Sequence, residues 1–416
     1  MRDMLGREDA ISVDEALKRI LGHLSVKGPS VARLQIEDCY RRVLAEDICS
    51  PEDLPAFSRS TVDGFAVKSS DTFGSSETIP SYLNVSHEVL MGLEPHFELK
   101  KGIAAKIPTG GMLPSGADAV VMLEHVQTSE EGLIEVLKPV APGENVIFAG
   151  EDVEKGEVIL RKGALLRPQD IAAVAGIGIK ELAIYERPRV SIISTGDEIV
   201  PAGKPLGPGQ VRDINSYNLA GLIRENGGEA VRKGIFRDAY EDIRNVAAES
   251  LRESEMVLIS GGSSVGVMDL TAGIIDSLGR PGVVFHGVAL KPGKPTIGGV
   301  VTGIPVFGLP GHPAAVTICF DLLIKPVLRV LKGVRGKEFL EGRAVKARLA
   351  RNVSSTHGRE EHIRVYLEQR NSELWAVPVL GKSGLIRTLV MADGTVAIPR
   401  QVRGIQEGEV VEVSLF

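Results

Sequence analysis

Aromatic residues are scarce in this chain, at 4% of 416 residues with a single tryptophan, while glycine (47) and proline (23) are plentiful. That balance implies many tight turns and several small lobes. No basic stripe is present: 48 Lys and Arg stand against 54 Asp and Glu, for a formal net charge of −6. Nucleic acid is therefore not expected as a partner, although a local basic pocket can still bind an anion. The cysteines, Cys39, Cys49 and Cys319, are few and scattered, with no CxxC or Cys/His ligand spacing. A disulfide framework and a structural zinc are thereby excluded, and a reducing compartment fits. No run of about 18 apolar residues exists, so no membrane span is expected. The opening "MRDMLGREDA" has no apolar leader region, and a cytoplasmic location is expected.

The remaining composition, 43% hydrophobic and 25% charged, is that of an ordinary globular protein. At roughly 100–200 residues per domain, about two to four domains are expected. "SVDEALKRILGHL" opens with Ser12 and carries Glu15 three places on, the signature of a capped amphipathic helix. Residues 55–150 hold brief apolar runs between Gly and Pro and read as a β-rich lobe. A helix is predicted from about Pro168. From Val190 strands alternate with helices, which predicts crossover units and a mostly parallel sheet; ligands of such sheets sit beyond the C-terminal strand ends. After Lys332 the pattern turns β again and predicts a small barrel.

Several strand-end loops carry candidate chemistry. "LISGGSSVGVMDL" runs an apolar strand into Ser260, Gly261, Gly262, Ser263, Ser264 and Gly266. Such loops often just turn the chain, and this one is neither a Walker loop nor a GxGxxG fingerprint. Its exposed amides suit a phosphate. "LKPGKP" places Lys291 and Lys294 on a proline-stiffened loop, able to clamp an anion or simply to sit in solvent. "GLPGHP" offers Pro310, Gly311 and Pro313, a rigid connector with Pro313 suited to a first helical turn. Among the acids, Asp238 and Asp269 precede predicted helices and can cap them. Together they leave adjacent strand ends and could instead share one Mg2+. No Ser–His–Asp order stands out, so a covalent enzyme intermediate is unsupported.

These stretches, with "LPAFSRSTVDGFAV", "IPTGGMLPSGADAVVMLE", "GEDV", "STGDEIV" and "GQVRDINSYNL", occur in the order found in the molybdopterin molybdenumtransferases. The chain resembles that MoeA family, which is related to the gephyrin E domain, from about Ser12 to its end. The resemblance implies a multidomain α/β plus β fold. A three-layer α/β molybdopterin-binding domain would span 7–30 and 187–332. An elongated stem would span 31–52 and 153–186, a β-rich lobe 53–152, and a C-terminal β-barrel 333–416.

It further implies a homodimer whose clefts lie between one subunit's α/β domain and the other's lobe. The substrates would be molybdate and adenylylated molybdopterin, with Mg2+ as cofactor and AMP as leaving product. Protein partners would be a molybdopterin adenylyltransferase and recipient molybdoenzymes. Asp269, Asp238 and Glu198 become the acidic group near Mg2+, and Lys291 and Lys294 anion ligands. Arg364 in "HIRVYL" and Ser383 in "GKSGLIRTL" match molybdate-pocket positions; a guanidinium fork suits a tetrahedral oxyanion. Thr109, Asp152 and the Asp63 turn would come from the partner subunit. The chain departs from the family pattern at Ser58, where an acid is usual, and at His312, where Asn is common. Two alternatives remain, an adenylyltransferase, whose single domain resembles 187–332, and a non-catalytic gephyrin-like scaffold. The β-rich flanks argue against the first, and Lys291, Lys294, Arg364 and Asp269 against the second.

Overall fold

The structure is a computed structural model that describes residues 10–25, 28–129, 132–261, 265–335 and 344–416, with the side chains of 265–267 left aside. The first helix, Val13–Leu21, starts where the sequence predicts it, because the Ser12 side chain accepts the Glu15 amide and so satisfies an orphan donor of the first turn. Its apolar stripe, with Ala16 and Ile20 buried, packs into the core of the α/β sheet although those strands begin far along the chain.

That sheet is built on fully buried strands, which explains their unbroken apolar runs. Arg189–Thr195 pairs in parallel with Glu229–Phe236 on one side and Met256–Ser260 on the other. Met256–Ser260 then pairs in parallel with Ile304–Leu309. Side chains alternate between two cores. Ile192 and Leu258 face the helix Asn215–Glu225 and the first helix. Ile193 and Ile259 face Tyr240–Glu253 and Val265–Leu278. The chain leaves Arg189–Thr195 over one face and Met256–Ser260 over the other. Their carboxyl ends therefore open a crevice, the usual ligand position in such sheets.

The sheet is finished by an antiparallel strand, Ile297–Val301, between Ile304–Leu309 and Pro281–His286, which the sequence reading did not foresee. Its "IGGVV" is short of side chains because Phe285 lies where a Cβ on Gly298 would sit.

The β-rich lobe is a six-stranded sheet with a core on each face. A three-stranded sheet, Val31–Gln35, Glu181–Tyr185 and Val43–Leu44, forms a further unit with the helix Pro168–Gly176. At the C-terminal end, Glu360–Arg370 pairs with both Glu373–Pro378 and Gly394–Ile398. With Ala344–Leu349 and Val410–Leu415 this closes a barrel around Val365, Val396 and Val413. The barrel is joined to the α/β unit by a two-residue ladder, Leu290 with Glu360 and Lys291 with Glu361. Among the described residues no helix is long and apolar enough to cross a membrane.

Candidate functional site

A cleft of about 250 Å3 lies at the crevice between the strand ends. Ser194, Thr195 and Ser260 end two of its strands; Gly311 and His312 form the turn after a third; Gly384 reaches in from the barrel. Proline stiffens the third wall, with Pro310 and Pro313 buried and Pro313 opening the helix Pro313–Cys319.

One end of the cleft is acidic. Asp238 is half-buried and its carboxyl is pushed up, first by burial and then by the charges of Asp197 and Glu198. Thr195 lies close enough to moderate the rise, yet neither Asp238 Oδ1 nor Thr195 Oγ1 completes a hydrogen bond. The capping expectation fails here, because the following helix takes Ala239 at its cap position with no side-chain bond. It fails for Asp269 as well. That residue is exposed inside the helix Val265–Leu278, not before it, and is not among the charges acting on Asp238.

Buried, unpaired carboxylate oxygen beside like charges is the setting in which a hard divalent cation lowers the energy. No group of three or more His, Cys, Asp or Glu among the described residues is arranged to hold one. Mg2+ commonly needs only one or two carboxylates with substrate phosphate oxygens, so Asp238 and Glu198 fit such an ion. Of the phosphate loop, Ser260 is buried at a strand end, Gly261 lines the cleft, and Gly266 lies in the first helical turn. Gly262, Ser263 and Ser264 lie outside the described residues.

The sequence-predicted cations Lys291, Lys294 and Arg364 do not line this cleft; Lys291 and Arg364 are held in or against the barrel. Lys291 Nζ is 2.9 Å from Glu361 of the barrel, whose side chain is 10% exposed. Glu361 also accepts the Ser355 hydroxyl. Lys294 is half-buried on the same loop. The loop turns at Gly293, whose φ of +123° excludes other residues and whose Cβ would strike Cys319 Sγ. Burial pushes that thiol up to about 12, so Cys319 acts as packing.

Arg364 is 7% exposed and donates through Nη2 to the Gly381 carbonyl, while its Nε is buried without a partner. Burial pulls its pKa below the ordinary guanidinium value. Ser383, on the loop that Arg364 supports, lies 3.0 Å from His312 Nδ1, and its carbonyl accepts the Ala314 amide. His312 thus meets the barrel through its side chain and does more than shape the backbone.

Asp63, Thr109 and Asp152 all sit in or beside the β-rich lobe, and none lines this chain's own cleft. Asp63 Oδ1 accepts both the amide and the hydroxyl of Thr109. Those bonds, amide first, hold its carboxyl below the usual range. Asp152 is exposed, with its amide on the Leu54 carbonyl. Ser58, standing where an acid is usual in the family, accepts the Ala149 amide and ties two loops.

The sequence reading gave no role to Asp213 and Asn215. Both are buried at the cleft floor and bonded to its strand ends. Their only signal was a polar cluster, Asp-Ile-Asn-Ser, which reads as an ordinary helix start.

A crevice at the ends of three buried strands, met by a loop from the barrel, is the usual ligand position of an α/β protein. Comparison with known families agrees. Residues 11–178 match the MoeA N-terminal region (domains I and II), 191–330 a probable molybdopterin binding domain, and 346–416 the MoeA C-terminal region (domain IV). The molybdopterin molybdenumtransferase of Haemophilus influenzae is 31% identical, covering 98% of each chain. That of Bacillus subtilis is 32% identical over 99% of this chain and 96% of its own. A solved molybdopterin biosynthesis MoeA protein from Pyrococcus horikoshii superposes with a TM-score of 0.82 at 33% identity, covering 98% of this chain and 100% of that one. The chain belongs to the MoeA family.

Proposed function

We propose that this chain is a molybdopterin molybdenumtransferase. It brings molybdate beside adenylylated molybdopterin, AMP departs, and molybdenum ends on the dithiolene sulfurs. The observation that carries the reading is the contact of the Ser383 loop with His312. It ties the barrel loop whose Gly381 carbonyl accepts from Arg364 to the turn after a strand end, and this supports pairing a guanidinium suited to a tetrahedral oxyanion with amides suited to a phosphate. No protein nucleophile is required. The protein's work is to hold two anions close and offset their repulsion. Lys291 and Lys294 oppose the phosphates, and Arg364 with Ser383 grips the oxometallate. Mg2+, held by Asp238 and Glu198, would neutralise phosphate charge as the AMP group leaves.

Asp63, Thr109 and Asp152 would act from a second subunit, which is why a homodimer belongs to the reading. The exposed lobe face, with Asp63 already fixed by Thr109, supports it. Delivery by an adenylyltransferase and hand-over to recipient molybdoenzymes would follow, in the cytoplasm. The test supplies adenylylated molybdopterin with and without molybdate and follows AMP. Release should occur only with molybdate; release without it, or none with it, overturns the reading. Light scattering should give twice the chain mass.

A further inference from the structure

The segment "GQVRDINSYNL" enters the fold at the cleft floor, and its polar residues have no part in the chemistry above. An asparagine at the start of a helix usually spends its side chain on the helix amides. Asn215, first residue of Asn215–Glu225, does not: the Ser216 amide of that first turn goes to Asp213 instead. Its Nδ2 instead donates to Ser260 Oγ at 3.0 Å and to the Gly311 carbonyl at 2.9 Å. A carbonyl only accepts, so the Gly311 bond fixes which end of the amide is nitrogen. Oδ1 is then buried without a partner. An unpaired buried acceptor is unfavourable, and a leucine or alanine would avoid it. Packing alone therefore does not explain this residue.

Asp213, two residues earlier, does the matching work on the next strand. Ser194 Oγ donates to it at 2.9 Å, and the Ser216 amide and hydroxyl donate to it as well. Asp213 and Asn215 thus hold the ends of three neighbouring strands, Arg189–Thr195, Met256–Ser260 and Ile304–Leu309. All three ends line the cleft.

We propose that Asn215 is a positioning residue for the nucleotide half of the site, fixing Ser260 and the Gly311 turn at the spacing that the AMP phosphate requires. This rests on the transferase reading and names the residue that sets its phosphate subsite. Arg364 is held within the barrel by the Gly381 carbonyl, so the guanidinium itself does not depend on Asn215.

The test compares Asn215→Ala and Asn215→Leu with the wild-type chain. Leucine keeps the volume, which guards against a variant that merely fails to fold. Calorimetric titration with AMP should show affinity reduced about tenfold, equivalent to about 1.4 kcal/mol. The KM for molybdate should stay within about twofold, which general loosening of the cleft would not allow. Adding Ser260→Ala to Asn215→Ala should cost less than the sum of the two, because both remove one contact. Unchanged AMP affinity in both variants, or equal losses for AMP and molybdate, overturns the proposal alone. A wild-type chain that fails to bind AMP overturns the transferase reading itself, and this proposal with it.

Discussion

Asp63 and Asp238 carry the same side chain into two regions that treat it in opposite ways. In the β-rich lobe, Asp63 is exposed, receives two hydrogen bonds from Thr109, and has its carboxyl held low. Beside the strand-end cleft, Asp238 is half-buried near Asp197 and Glu198, has an unpaired oxygen, and has its carboxyl pushed up. The lobe presents an anion whose geometry is settled before any ligand arrives. The cleft keeps an anion whose repulsions remain to be offset, which is the arrangement expected of a cation site. The difference teaches that one carboxylate is already satisfied by its own lobe, while the other is left to gain from a neutralising partner.

The comparison breaks most sharply at Arg364. Arg364→Ala removes the buried guanidinium that supports the Ser383 loop. Molybdate-dependent AMP release should fall about 100- to 1000-fold, as when a charge-stabilising donor is removed from an active site. AMP affinity, measured by titration, should change far less. A uniform loss of both would mean that the barrel only braces the cleft.

Hybrid dimers test whether the two regions meet across subunits. Arg364→Ala and Asp63→Asn chains should each be nearly inactive alone. Mixed and re-equilibrated at equal amounts, they should recover about a quarter of wild-type activity, since half the dimers would carry one intact cleft of two. No recovery would leave Asp63 acting within its own chain or not at all.

Asp238→Asn should separate stability from function. A carboxyl raised in the folded state subtracts stability at pH above its folded value, and that loss disappears as pH falls toward the unfolded value near 3.9. Removing the charge should therefore raise the Tm at pH 7 by about 1–3 °C while lowering turnover. Mg2+ should raise the Tm of the wild type and leave the variant unmoved. Equal Mg2+ shifts in both would place the ion elsewhere.

Much of this was legible in the sequence because local pattern and tertiary role agree. The buried runs "RVSIIST" and "MVLIS" read as core strands and are core strands. Ser12 and Pro313 announce helix starts and make them. What escaped depends on partners distant in the chain. The strand at Gly298 and Gly299 went unread because what requires their bareness, the Phe285 ring at the first and Ile275 with Gly282 at the second, belongs to other elements. Glu361, the counter-ion of Lys291, stands 70 positions further on. Asp213 and Asn215 look like helix-start residues, and only the fold shows their bonds running to three strand ends. Helix register explains the failed caps, since one helix starts after Ala239 and the other starts before Asp269.

The smallest effect sharpens the comparison from the lobe side. Asp63 is the mirror of Asp238: a carboxyl depressed in the folded state adds stability above its unfolded value, near 3.9, and loses it as pH falls through the folded value. Asp63→Asn should therefore lower the Tm at pH 7 by about 1 °C or less, because the pair is exposed and well screened. Followed by scanning calorimetry down an acid series, the gap to wild type should narrow only below about pH 4. The Asp238→Asn gap should shrink over the acidic range above that point, with the opposite sign. Two aspartate substitutions whose Tm differences converge from opposite directions would show that the fold sets the two charges independently. A gap of the same sign at both sites would mean that the Thr109 bonds do not hold Asp63 in solution.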